Sequence, residues 1–166
     1  MGRMDILMIL VLLGTQNKPF SRLLKAISRE IKNGNIKDKV VAQIGCTTYK
    51  DENIEMFDYK PKEEINELIN KANIIITHGG VGTIIECLDL GKKVIVAPRL
   101  SKYKEHTNNH QMQITKEFHE KGYILPLYKF SDLSEVLKQI KKFKPKKYES
   151  NSENFCNSIK EYIDNL

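Results

Sequence analysis

Ile74-Ile75-Ile76-Thr77-His78-Gly79-Gly80-Val81-Gly82-Thr83-Ile84-Ile85-Glu86-Cys87-Leu88 is the stretch that decides the fold. Ile74–Thr77 reads as a buried strand, and it runs directly into Gly79, Gly80 and Gly82. A helix is expected over Thr83–Leu90, stopped by Gly91. Glycine lets the backbone approach a ligand closely and adopt positive φ. The first N–H groups of the helix, aligned with its dipole, make a ready anion site. A diphosphate fits that chemistry, although a tight turn that binds nothing would use the same glycines. The spacing is neither G-x-G-x-x-G nor the phosphate loop of nucleoside triphosphatases, whose lysine is lacking here.

Working outward, short apolar runs alternate with helical periods. Strands are expected at Ile6–Leu13, Val40–Ile44, Ile54–Tyr59, Val94–Ala97 and Tyr123–Leu125. A helix over Ser21–Lys32 carries Leu23, Leu24, Ile27 and Ile31 on one face, with Gly34 as its stop. Pro61 opens another at its first position, with Glu63 and Glu64 in the first turn and Ile65, Leu68, Ile69 and Ala72 as the stripe. A third runs from about Asn108 to Lys121 and ends at Gly122, and Asp132 with Glu135 reads as a capping box for a fourth carrying Leu133, Val136, Leu137 and Ile140. Lys144-Pro145-Lys146-Lys147 reads as a hinge, and Phe155, Ile159, Tyr162 and Leu166 give a closing helix its stripe. The expected organisation is one Rossmann-like α/β domain over residues 1–145, with a doubly wound parallel sheet. A C-terminal helix over residues 146–166 would pack on that domain, on a partner or on a second copy. Ligands of such sheets sit at the carboxyl ends of the strands, so the loops after Leu13, Thr77 and Ala97 are the ones to inspect.

Composition agrees with an ordinary soluble domain: 166 residues, 40% hydrophobic and 29% charged. Ile6–Leu13 is far shorter than the ~20 residues a membrane helix needs, and no signal-peptide cleavage site follows it. Cys46, Cys87 and Cys156 have neither metal-ligand nor redox spacing, which fits reduced thiols in the cytoplasm. The net charge of +6 is weighted toward Lys138, Lys141, Lys142, Lys144, Lys146 and Lys147. That run reads as a solvated face, a nucleic-acid patch or a surface for anionic lipid. Nucleic acid is not expected as a partner, because no aromatic residues interleave with the lysines.

Several polar residues flank the glycine-rich loop. Glu86, three residues after Thr83, stands on the same helix face, where a carboxylate can accept both hydroxyls of a ribose; otherwise it is a favourable charge near a helix start. His78 can hydrogen-bond a phosphate or a sugar, or merely cap the loop. Arg99, Glu105, His106, Asn109, His110 and Gln111 follow the next strand, and such groups suit sugar hydroxyls as well as an ordinary polar loop. His106 and His110 are four apart without an evident third ligand, so no metal site is expected.

Thr77 to Thr83, Glu86, Gly91-Lys92-Lys93-Val94-Ile95-Val96-Ala97-Pro98-Arg99, and Glu105-His106 to His110-Gln111 resemble the carboxyl-terminal, donor-binding domain of family 28 glycosyltransferases. Val11-Leu12-Leu13-Gly14-Thr15-Gln16, with Phe20, is similar to the opening of the small subunits of bacterial capsule and exopolysaccharide two-chain enzymes. The resemblance covers roughly Ile6 to Leu125. It implies half of a GT-B glycosyltransferase, in which Gly79, Gly80, Gly82 and Thr83 hold a diphosphate and Glu86 holds ribose. Tyr59 and Lys60 would flank uracil, and His110 and Gln111 would touch the donor sugar. Gly14, Thr15, His78, Arg99, His106 and Asn109 complete the expected substrate-binding set.

The implied activity is inverting transfer of a hexose from a UDP-sugar to a polyprenyl-diphosphate-linked sugar, with no cofactor beyond the UDP-sugar substrate. The chain begins at the donor domain, so a membrane-associated acceptor-binding subunit is the expected partner, holding the chain at the inner face of the membrane. That partner is also the expected source of the catalytic base, with His78 the candidate on this chain; a lone copy is expected to self-associate through the orphan surface. The other readings are a non-catalytic UDP-sugar-binding regulatory or scaffold subunit, a sugar-nucleotide epimerase and a basic nucleic-acid binder.

Overall fold

The computed structural model describes residues 7–149. Its six strands are β1 (Met8–Leu12), β2 (Lys39–Gln43), β3 (Ile54–Phe57), β4 (Ile74–Thr77), β5 (Lys93–Val96) and β6 (Leu125–Pro126). All pair in parallel, in the order β3-β2-β1-β4-β5-β6. The helices are α1 (Ser21–Lys32), α2 (Lys62–Lys71), α3 (Val81–Asp89), α4 (His110–Glu120) and α5 (Leu133–Lys142), with 3₁₀ turns at Ser101–Tyr103 and Phe130–Asp132.

The alternation of β1 explains the layering. Ile9, Val11 and Leu13 join one apolar cluster with Leu23, Leu24 and Ile27 of α1 and Leu137 and Ile140 of α5. Met8, Leu10 and Leu12 join the other, with Ile69 of α2, Ile84 and Cys87 of α3 and Phe118 of α4. A strand covered on both faces reads as one unbroken apolar run, as β1 and β4 do. β1 lies between β2 and β4. The chain leaves β1 for α1 on one face and leaves β4 for α3 on the other. The loops therefore part at the carboxyl ends of these two strands, which is where open α/β sheets bind ligands.

Several expected boundaries move. Helix α3 starts at Val81, not Thr83, so Gly82 and Thr83 fall within its first turn. Pro61 stands just before α2 as its N-cap rather than at its first helical position. The last strand is Leu125–Pro126 rather than Tyr123–Leu125; among the described strands it pairs only with β5, and proline is tolerated on such an edge. Asp132 makes no side-chain capping bond to α5, because a 3₁₀ turn precedes the helix there, so the capping box does not form. Gly34, Gly91 and Gly122 all take positive φ, as helix stops do.

The segment expected to be a hinge packs back on the domain. The Lys146 N–H donates to the Gly122 carbonyl at 3.0 Å. Tyr148 meets Tyr123 edge-on, with 5.3 Å between ring centroids, and contacts the α2–α4 cluster. The closing-helix residues Phe155, Ile159, Tyr162 and Leu166 lie outside the described residues. Tyr148→Ala is expected to lower unfolding stability by about 1–2 kcal/mol, the size of a lost aromatic pair plus its area. A loss below 0.5 kcal/mol in chemical denaturation, the level of an indifferent surface change, would return residues 144–148 to the status of a linker.

Candidate functional site

The loop after β4 is built around one imidazole. His78 continues the strand by donating its backbone N–H to the Leu12 carbonyl at 3.0 Å, and its side chain is 6% exposed. The ring fills the space that two glycines leave open. A Cβ at Gly14 would stand 2.6 Å from His78 Nε2, and one at Gly80 would stand 2.3 Å from His78 Cε1. Gly79 is closed in from another side, where a Cβ would come within 2.8 Å of Gln111 Cβ.

Positive φ is required at Gly14, at 89°, but not at Gly79, Gly80 or Gly82, which the sequence reading had offered as candidates for it. What Gly79 and Gly80 supply is the missing Cβ. A Cβ at Gly82 would meet nothing within 4 Å, so the first turn of α3 is open on that side. Among the described residues no side chain caps α3, and no acidic residue occupies its first turn. Its leading N–H groups and positive dipole end therefore face the crevice uncompensated.

Arg99 lies beneath this loop. It is 1% exposed, and its guanidinium donates to the carbonyls of Leu13, Lys18 and Glu105. It also stacks 4.9 Å from the Phe20 ring centroid. Burial lowers the Arg99 pKa and the Glu105 carboxylate raises it. Glu105 is itself buried; it takes a two-pronged bond from Arg22, both contacts 2.9 Å, and accepts the Leu100 N–H at 3.1 Å. His78 is held neutral: burial foremost, then the charges of Arg99 and His106, bring its pKa down to about 3.

Gln111, 3% exposed, joins the pieces. Its Oε1 accepts the backbone N–H of Gly79 at 2.8 Å and that of Arg99 at 3.0 Å, while its Nε2 lies 3.1 Å from His78 Nδ1.

The remaining expected residues spread around this centre. Thr15 is exposed just beyond Gly14. Glu86 is on the second turn of α3, half-exposed, with Lys62 Nζ 3.4 Å away. Tyr59 is 54% exposed, its hydroxyl 3.4 Å from the position of a Cβ on Gly45, and Lys60 Nζ lies 4.9 Å from the Phe57 ring centroid. Asn109 Oδ1 accepts from the N–H and hydroxyl of Ser101. His106 Nδ1 accepts the Asn108 N–H at 3.3 Å, and His110 Nδ1 lies 3.3 Å from Gln113 Oε1. Beside the centre, between the starts of α1 and α5, runs an open groove of about 740 Å³ lined by Arg22, Lys25, Arg29, Lys102 and Lys129.

Residues 8–166 match the glycosyltransferase family 28 C-terminal domain. The chain belongs to that family.

Among its relatives is the human protein "UDP-N-acetylglucosamine transferase subunit ALG13", 29% identical over 92 residues; the match covers 52% of this chain and 8% of that protein. An NMR solution structure of ALG13 superposes with TM-score 0.56 at 21% identity, covering 84% of this chain and 88% of the other. The crystal structure of MurG from Acinetobacter baumannii gives TM-score 0.60 at 15% identity, with 84% of this chain lying on 42% of that one. The fold is thus the Rossmann-like half of a GT-B glycosyltransferase.

Two residues of this family 28 domain stand elsewhere than the sequence reading had them. Sequence groups Arg99 with the sugar-contacting residues, but its two terminal nitrogens donate to carbonyls below the loops, and its buried Nε has no hydrogen-bond partner among the described residues. Gln111 had been given the same role, yet its carboxamide is turned inward onto His78 and two backbone N–H groups. Both look like surface polar residues in sequence because burial of a polar group depends on partners far along the chain. Gly45 was not singled out at all: with φ +56°, it lets the β2 loop lie against Gly14, whose carbonyl would be 3.0 Å from a Cβ. A glycine directly after the strand Val40–Ile44, at a carboxyl end, was the available signal.

Removing the buried cation should be costly. Arg99→Met leaves three carbonyls and Glu105 without it, and a loss of about 3–5 kcal/mol in chemical denaturation is expected. A loss under 1 kcal/mol would show that the network is incidental.

His78 also predicts a pH dependence. Its folded pKa lies below the unfolded value of 6.5, so the unfolded chain binds the proton first as pH falls. The contribution is complete above pH 6.5 and is lost on acidification from there toward pH 3, by up to about 1.4 kcal/mol per pH unit. Thermal unfolding of wild type between pH 7 and 4.5 should fall more steeply than that of His78→Gln; parallel curves would contradict a neutral, buried imidazole.

Proposed function

We propose that this chain is the donor-binding subunit of a two-chain glycosyltransferase, holding a UDP-sugar and transferring its hexose to a lipid-linked saccharide. The observation that carries the reading is the uncapped start of α3 joined to the glycine-lined His78 at the fork between β1 and β4. Backbone N–H groups, a helix dipole and a neutral imidazole converge there over the buried Arg99 cation, and a diphosphate is the ligand such a set accommodates.

Glu86 and Tyr59 lie outward from this centre, at positions suited to ribose and base. In the reaction, the bond between the anomeric carbon and the diphosphate breaks as an acceptor hydroxyl attacks from the opposite face, inverting the configuration. The N–H groups of α3 would stabilise the charge gathering on departing UDP, and fixed dipoles in a water-poor site do this without reorganising. The base that takes the acceptor proton would come from a partner subunit, whose existence the subunit status of the human relative supports and which we place at the membrane. The groove at the same end of the sheet, with Lys25, Arg29, Lys102 and Lys129 beside the Arg22–Glu105 pair, suits an anionic lipid-linked acceptor. The capsule or exopolysaccharide setting rests on the sequence resemblance.

UDP should raise the melting temperature of the purified chain more than ADP or GDP at equal concentration. Equal shifts from all three would remove uridine selectivity, and no shift from any would remove the nucleotide site. Glu86→Ala is expected to weaken UDP binding by about 1–3 kcal/mol in calorimetry, the range for a charge-assisted hydrogen bond. Among the described residues its ion pair is the exposed one with Lys62, worth at most about 1 kcal/mol, so unfolding stability should hardly change. A stability loss with unaltered UDP affinity would place Glu86 in the scaffold.

A further inference from the structure

Gln111 is the place where hydrogen-bond chemistry leaves no freedom. An amide side chain has an oxygen end that only accepts and a nitrogen end that only donates. The end facing Gly79 and Arg99 receives two backbone N–H groups, at 2.8 and 3.0 Å, and a backbone N–H cannot reverse its role. That end is therefore oxygen, whatever the ordinary ambiguity of amide orientation. The NH₂ end is then the one 3.1 Å from His78 Nδ1, and it must donate. Nδ1 must offer its lone pair. A neutral imidazole has one N–H, so His78 carries it on Nε2. Nε2 is the atom wedged between Gly14 and Gly80, 2.6 Å and 2.7 Å from where their Cβ atoms would be, at the threshold of α3.

We propose that Gln111 is a positioning residue that fixes His78 as the Nε2–H tautomer, making it an obligate hydrogen-bond donor to the diphosphate. This rests on the UDP-sugar reading for the identity of the anion but not for the tautomer. The alternative tautomer would point a lone pair at a phosphate oxygen and add repulsion where α3 supplies attraction. The mode of control is economical in residues: the two backbone donors that orient the amide belong to the loops after β4 and after β5, so the same side chain that sets the proton also fixes the loop holding the histidine. The neighbours that bias the ring by charge are Arg99 and His106.

The substitution that separates the two tasks is Gln111→Glu. A glutamate still accepts from Gly79 and Arg99, keeping the structural tie, but turns an acceptor toward Nδ1 and so requires a proton there. Side-chain ¹⁵N–¹H correlation spectra of His78 should show Nε2 protonated and Nδ1 bare in the wild type from pH 5 to 8, without nucleotide. Gln111→Glu should show Nδ1 protonated throughout.

The variant's UDP affinity should then depend on pH. At pH 8 a neutral ring with its proton on Nδ1 offers UDP no donor, and binding should be about tenfold weaker than wild type. On acidification the doubly protonated ring regains Nε2–H, and the variant-to-wild-type ratio of Kd should return toward one. Taking the ratio cancels the titration of UDP itself. A wild-type His78 protonated at Nδ1 would overturn the proposal by itself, even if Gln111→Glu failed to fold. So would a variant whose Nδ1 stays bare, or a ratio of Kd constant with pH. Failure of wild type to bind UDP would instead strike the functional reading and leave the tautomer result standing.

Discussion

A cation without water has to be surrounded, and the architecture of this site follows from enclosing Arg99, whose Nε alone among its nitrogens finds no hydrogen-bond partner among the described residues. Its guanidinium is 1% exposed and reaches the carbonyls of Leu13 and Lys18 on the loop after β1, and of Glu105 on the loop after β5. A buried charge left unpaired costs several kcal/mol, so these segments cannot separate independently. The Glu105 carboxylate supplies the counter-charge and is in turn clamped by Arg22, which lies 3.7 Å from the Phe130 ring centroid. The chain of contacts thus runs from the start of α1 through the β5 loop to the start of α5. A crevice whose walls come from loops distant in sequence needs such a tie. One arginine with several fixed donors suits it better than a lysine, whose charge is a single point.

The same cation decides the electrostatics above it. His78 is buried, close to Arg99 and at the positive end of α3, and each of these disfavours its proton. A charged histidine would attract a diphosphate more strongly, but the fold has already placed its charge lower down, on Arg99. On the proposed reading, dividing the work between a permanent buried cation and a neutral donor would keep the anion site working across the whole range in which an ordinary histidine titrates.

Much of this was legible in the sequence, for reasons that separate by range. The parallel sheet was legible because Met8–Leu12 and Ile74–Ile76 are continuous apolar runs, which a strand covered on both faces sustains. The site loop was legible because Gly79, Gly80 and Gly82 sit between a strand and a helix. Less was legible where the deciding partner is far away. Asp132 and Glu135 have the spacing of a capping box, but the 3₁₀ turn before them overrides it. Lys144–Lys147 has the composition of a linker, yet the Lys146 N–H finds Gly122 and Tyr148 finds Tyr123. Arg99 and Gln111 carry no local sign of burial at all. Their farthest partners are 86 and 33 residues away, and a sequence pattern read with a helical or strand period cannot reach that far.

The glycines show why the distinction matters for function. Read locally, they serve either unusual backbone angles or close approach of the backbone to a ligand. In the folded chain Gly79 and Gly80 have ordinary φ, and what they cannot bear is volume: any Cβ collides with His78 or Gln111. Room for the imidazole, the proton on its outer nitrogen and the amide that sets that proton therefore form one packing problem, not three independent features. A change that enlarges either glycine displaces the ring before it reaches a ligand. Loss of nucleotide binding in such a variant would then report the position of His78 as much as the approach of phosphate to the backbone. The proposed anion site is consequently defined less by its loop than by Gln111 of α4, which ties the loop's one histidine to the backbone after β4 and after β5.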